Sequence, residues 1–147
     1  MHRISLLSVG KVKVPWIADG CAMFIERLKK QCDFSERILT AGTREEENER
    51  VLAAIGKTDG VIVMLDECGK EFLSTEFASW IGKKRDLGDT ITFVLGGAFG
   101  LEERVRSTAT LVLSLSRMTF PHELCKVVFL EQLYRAQSIL AGSGYHH

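Results

Sequence analysis

Two uninterrupted apolar runs constrain this chain more than any other feature: "GVIVMLD" at residues 60–66 and "TITFVL" at residues 90–95. A continuous β-branched run bounded by polar turns marks a strand buried on both faces. Such strands need helices above and below, and the intervening segments supply them. "RISLLSV" reads as an opening strand and "GKVKV" as the loop after it. Pro15 opens a helix through about Lys30, with Trp16, Ala22, Phe24, Ile25 and Leu28 as its apolar members. "SERIL" is a short second strand. Thr43 followed three residues later by Glu46 is a capping box, and it starts a helix that runs to Ile55. "STEFASWIGKK" is a helix from near Ser74, "LEERVRS" a short helix and "TLVLSL" the last strand. A final helix begins at about Pro121, a residue favoured at the first helical position. Strand and helix alternate about five times. The pattern predicts one α/β domain over residues 1–147, its mostly parallel sheet covered by helices on both faces.

Nineteen basic and nineteen acidic residues give a formal net charge of zero, which argues against general electrostatic capture of nucleic acid. The distribution is uneven: Arg3, Lys11, Lys13, Arg27, Lys29 and Lys30 gather in the first thirty positions, while acids concentrate in "REEENER". No apolar stretch approaches a membrane span, and "MHRISLLSVGKVKV" lacks the features of a signal peptide, so a cytoplasmic protein is expected. Cys21, Cys32, Cys68 and Cys125 are scattered, without C-x-x-C or histidine at ligand spacing. They are expected to be small apolar residues, in neither a zinc site nor a disulfide.

Ligands of open α/β sheets sit beyond the carboxyl ends of strands. Three such ends stand out: "MLDECGK" (64–70), "VLGGAFG" (94–100) and "LSLSRMTFPH" (113–122). The glycines of the second suit a backbone that turns tightly and approaches a ligand, or a plain strand-to-helix turn. Neither the dinucleotide fingerprint nor the P-loop pattern is present. In the third, Ser114 and Ser116 read equally as a solvated strand face, Thr119 as a helix cap, Arg117 as surface charge and His122 as a surface or capping histidine. Yet an irregular stretch leading into a buried helix leaves backbone groups that need partners. The last helix is apolar nearly all round and calls for cover on more than one side, most simply by a second subunit. The terminal "GSGYHH" reads on residues alone as a frayed end.

Taken together, "SVGK", "LDECGK", "FVLGGAFG", "LSLSRMTFPHELCKVVFLEQLYRA" and "GSGYHH", in this order, closely resemble the RlmH (YbeA) family of SPOUT-class methyltransferases along the full chain. The resemblance implies a C-terminal trefoil knot, one of the rare exceptions to un-knotted folds. It implies a homodimer that acts on 23S ribosomal RNA within the ribosome, methylating N3 of a pseudouridine with S-adenosyl-L-methionine and no metal. Carried over by position, the cofactor contacts are Leu65, Gly96, Leu115, Ser116, Arg117, Met118, Thr119 and Phe120.

The nucleophile is an imide nitrogen that must lose its proton, so a base is expected near it. His122, the Tyr145–His146 pair and Glu123 are the candidates, and the resemblance shifts weight to the tail, which is expected to reach the partner's site. Arg117, Arg135, Tyr145, His146 and His147 are the expected RNA contacts. Relatives commonly carry a Lys or Arg after the Tyr-His pair, where this chain has His147, a weaker phosphate partner. Two other readings remain: a catalytically silent ribosome-binding or assembly factor with the same fold, and a SPOUT methyltransferase with another RNA target.

Overall fold

The computed structural model describes all 147 residues. Five strands and five helices alternate: β1 (Arg3–Val9), α1 (Pro15–Lys29), β2 (Asp33–Leu39), α2 (Arg44–Ile55), β3 (Val61–Glu71), α3 (Ser74–Asp86), β4 (Ile91–Leu95), α4 (Glu103–Arg106), β5 (Leu111–Ser114) and α5 (His122–Ala141). The strands form one sheet in the order β2-β1-β4-β3-β5, and every pair is parallel. All loops that follow strands therefore open on the same edge of the sheet.

Alternation along each strand divides the core in two. Ile4 and Leu6, Val61, Val63 and Leu65, and Ile91, Phe93 and Leu95 face the larger cluster, shared with α1, α3 and α5. Leu7, Val9, Met64 and Val94 face a smaller one with Val51, Ala54 and Val105 of α2 and α4. The centre of the larger cluster is aromatic. The Phe93 ring lies 4.8 Å from Phe129 and 6.0 Å from Phe77, the separations favoured by tilted and edge-to-face pairs.

Several expectations are corrected. The last helix does not depend on a partner for its main cover: α1 and α3 flank it, and Phe129, Leu130, Leu133 and Ala136 are buried against them and the sheet. Pro121 is the residue before the helix, not its first turn, because its ψ of 142° is extended. On α1 the buried residues are Ile17, Cys21 and Leu28, whereas Trp16 and Ala22 point to solvent. Cys68 is exposed rather than packed, and all four cysteines are free thiols. Burial pushes the Cys32 thiol up to about 11.

The run "GVIVMLD" also extends further than its apolar residues suggest. β3 continues to Glu71 through a bulge, since Leu113 of β5 pairs with both Leu65 and Lys70. Residues 66–69 are thereby pushed out at the strand's carboxyl end. Gly69 makes this possible: a Cβ there would meet the Val112 carbonyl oxygen at 2.6 Å.

An ion pair with a buried lysine ties α5 to the sheet. The Lys126 ammonium lies 2.7 Å from Glu36 on β2 and donates to the Ser8 hydroxyl on β1 at 3.2 Å. Its neighbours one turn earlier are His122 and Glu123, at the mouth of the cleft described next.

Candidate functional site

The bulged carboxyl-terminal part of β3 and the loops after β4 and β5 enclose a cleft of about 280 Å³. The first contributes Leu65, Asp66 and Glu67; the second Gly96 through Leu101; the third Leu115, Ser116, Met118, Thr119 and Phe120. His122 and Cys125, from the first turn of α5, complete the wall. The parallel order makes this convergence possible, because β4 and β5 both flank β3.

The third loop is held by side chains. Ser114 donates from its hydroxyl to the Ser116 carbonyl at 2.9 Å, and the Ser116 hydroxyl accepts the Met118 N–H at 3.0 Å. The Thr119 hydroxyl donates across the cleft to Glu67 at 2.6 Å. No main-chain group from residues 117 to 120 bonds to another main-chain group. The N–H groups of Arg117, Thr119 and Phe120 are thus free to meet a ligand's hydrogen-bonding edge, between the apolar side chains of Leu115 and Phe120.

The second loop is held from outside by α2. Arg44 donates to the Phe99 carbonyl at 3.0 Å and to that of Leu101 at 3.4 Å. Asn48, fully buried, donates to the Gly100 carbonyl at 3.2 Å and accepts the Glu102 N–H at 2.8 Å. Glu47 is buried behind Gly97. Sequence reasoning saw in "REEEN" only an acidic run. The one local signal was the capping box, whose two bonds both form and which fixes where this helix starts.

Of the predicted site residues, the structure brings together Leu65, Gly96, Leu115, Ser116, Met118, Thr119, Phe120 and His122. Arg117 does not join them: its side chain is 86% exposed, and its nearest acidic neighbour is Glu71 at 3.9 Å. The tail lies elsewhere. Tyr145 packs edge-on against Tyr134 with ring centroids 4.8 Å apart, and the Arg135 guanidinium stands 4.8 Å over the Tyr145 ring. Arg135 also bonds Glu131 at 2.8 Å and the His146 Nδ1 at 3.1 Å, while His147 is exposed. Tyr134 is twelve residues beyond His122, about 18 Å along the helix. A tail docked there does not serve the cleft of its own chain.

Glu123 has other employment than as a base. Its carboxylate accepts the N–H groups of Val14 and Lys13, at 3.1 and 2.9 Å, and so caps α1, which has no side-chain cap of its own. The Val14 bond, more than any other influence, holds its pKa below the ordinary carboxylate range, with desolvation opposing it and the Lys13 bond assisting. A depressed folded-state value means the contact stabilises fully above the unfolded pKa and is lost as pH falls through the folded one. Glu123→Gln is therefore expected to melt earlier than the parent at neutral pH. The gap should close well below the ordinary carboxylate range; a gap that persists in acid would contradict the capping role. Burial raises the Cys125 thiol, so this wall residue is a poor nucleophile near neutrality.

Comparison with known proteins agrees with this geometry. A family model described as "Predicted SPOUT methyltransferase" matches residues 2–146. A protein of Nitratidesulfovibrio vulgaris (strain DSM 19637 / Miyazaki F), called ribosomal RNA large subunit methyltransferase H, is 40% identical over all of both chains. One of the same name from Prochlorococcus marinus is 37% identical, over 98% of this chain and 95% of its own. Among solved structures, the SpoU methyltransferase AviRb from Streptomyces viridochromogenes superposes with a TM-score of 0.50 at 13% identity. That match covers 95% of this chain and 61% of AviRb, so this chain spans less than two thirds of AviRb's length, and the likeness is one of fold.

Proposed function

The chain belongs to the SPOUT methyltransferase family, in the branch of the ribosomal RNA large subunit methyltransferase H proteins, and we propose that it methylates N3 of a pseudouridine in large-subunit ribosomal RNA with S-adenosylmethionine as donor. One observation carries the reading: the bulge of β3 and the loops that follow β4 and β5 meet in one cleft, with free main-chain donors on one side and a glycine wall on the other. These residues fit the donor. The main chain of residues 117–120 suits the adenine edge, Leu65, Leu115 and Phe120 suit its faces, and the main chain of Gly96 and Gly97 forms the opposite wall. S-adenosylmethionine supplies a methyl group on a positively charged sulfur, a good leaving group, so the protein contributes mainly position.

In this reading His122 is the basic group within the cleft of one chain, since Glu123 is engaged as a cap. Tyr145 and His146 act in the cleft of a second copy, with Arg135 orienting them. The outer face of α1 supports a homodimer: Trp16 is 64% exposed and Met23, two turns on, 42% exposed, beside Phe24 and Tyr134. Large apolar side chains left exposed on one helix face suit an interface. The exposed side chains of Arg117 and His147 would meet RNA backbone. The residues after β5 would pass through the family's knot. No helix is long and apolar enough to cross a membrane, and a ribosomal substrate places the activity in the cytoplasm.

The test is mass mapping of ribosomal RNA from a strain lacking the gene. One methyl on a pseudouridine is expected to be missing and to return when purified protein and donor are added to assembled ribosomes. Because the chain has no net charge, recognition rests on a shaped ribosomal site, and protein-free stem-loop RNA should be methylated poorly. An unchanged methylation map would refute the assignment.

A further inference from the structure

Glu47 lies in the first turn of α2 and is 4% exposed, yet its two carboxylate oxygens keep different company. Oε2 accepts the Gly42 N–H at 3.1 Å. Oε1 is buried with no hydrogen-bond partner, and Glu47 enters none of the chain's ion pairs. The unpartnered oxygen is pressed against Gly97, where a Cβ would stand 2.6 Å from it. Gly97 itself lines the cleft, so the carboxylate lies one layer of main chain behind the wall.

A buried carboxylate oxygen without a partner is costly, and such groups call for an explanation in function. The helix dipole favours acids in a first turn, which accounts for the exposed Glu45 and Glu46. It does not account for burying the third acid, unpaired, behind Gly97.

Resting on the methyl-donor reading of the cleft, we propose that Glu47 senses the positive charge on the donor's sulfur through the Gly96–Gly97 wall, so that the cleft favours the charged donor over its neutral thioether product. Donor and product are nearly the same shape and differ by one charge at sulfur. Shape alone separates them poorly; a fixed negative charge separates them well. Because main chain rather than water lies between, the attraction is screened far less than at a surface. Glycine at position 97 is what permits the approach, since any side chain would push the carboxylate back. Glu47 is on this account a specificity-determining group that touches no reacting atom.

The test is calorimetric titration of the full-length protein with S-adenosylmethionine and with S-adenosylhomocysteine. Glu47→Gln keeps the shape and an oxygen for the Gly42 N–H while removing the charge. It should bind the donor about tenfold more weakly and the product within about twofold of the parent. Asn48→Ala, which loosens the same loop without touching the charge, should weaken both ligands alike. If Glu47→Gln does not melt like the parent, Glu47→Asp takes its place. That variant keeps the charge and should retain a donor preference, and its loss there would overturn the proposal. Equal losses for both ligands in Glu47→Gln, or no loss for either, would also overturn it. A parent protein that binds neither ligand would instead bring down the donor reading on which it rests.

Discussion

Removing Tyr145, His146 and His147 is expected to leave the affinity for S-adenosylmethionine unchanged and to lower methylation of ribosomes about a hundredfold or more, the usual range for losing a positioned acid–base group. None of the three lines the cleft, so the donor site is untouched. Their contacts are with the second half of α5: Tyr145 on Tyr134, Arg135 over the Tyr145 ring, and His146 on Arg135. The buried residues of that helix, Phe129, Leu130 and Leu133, keep their packing, and the melting temperature should barely move. Arg135→Ala unties the tail without deleting it and should cost activity less than the truncation does. Sedimentation of each variant shows whether the assembly persists. Full methylation by the truncated protein would remove the tail from the mechanism and leave His122 as the only basic group at the site.

Lys126→Met is expected to lower the melting temperature by about 6 °C, from a loss on the order of 2 kcal/mol, since a charge-assisted contact is lost and one partner stays in reach of solvent. The Lys126 side chain is 7% exposed and that of Glu36 23%, so the variant leaves a half-covered carboxylate at the edge of α5 without its cation. Breaking one half of such a pair costs more than the pair itself contributes, because the remaining carboxylate has lost its partner and is only partly reached by solvent. Pairing Lys126→Met with Glu36→Leu should therefore recover much of the stability. A double variant no better than the single one would show that the lysine stem, and not the charge, holds the helix. The single variant also frees the turn that carries His122 and Glu123, so its affinity for the donor should fall with its stability.

The residues that could be read in advance are those whose signals are local. β3 and β4 announced themselves by continuous apolar runs, and α2 by Thr43 and Glu46, whose reciprocal bonds both form. The cleft-lining loops could be named because each follows a strand and carries its own composition. Arg44, Glu47 and Asn48 could not. Their partners, from Gly97 to Glu102, lie about fifty residues away, and nothing near them in the chain distinguishes a clamp from a solvated acidic face. The same holds for Lys126, whose partners Ser8 and Glu36 are on two strands far upstream. Glu123 looked like a base until the main-chain groups of Lys13 and Val14 were seen to occupy it.

Alternating apolar runs and capped helices were enough to make this chain an α/β sheet protein, because backbone hydrogen bonding and burial act within each segment. Motif order was enough to place it in a methyltransferase family. The order β2-β1-β4-β3-β5 came only with the folded chain, and with it the choice of which loops share a cleft. So did the company of each charge: Glu123 on α1, Lys126 under α5, and Glu47 unpartnered behind a glycine. Pairings between distant segments are decided by how whole faces pack and how buried polar groups find partners, and no short window of residues contains that information.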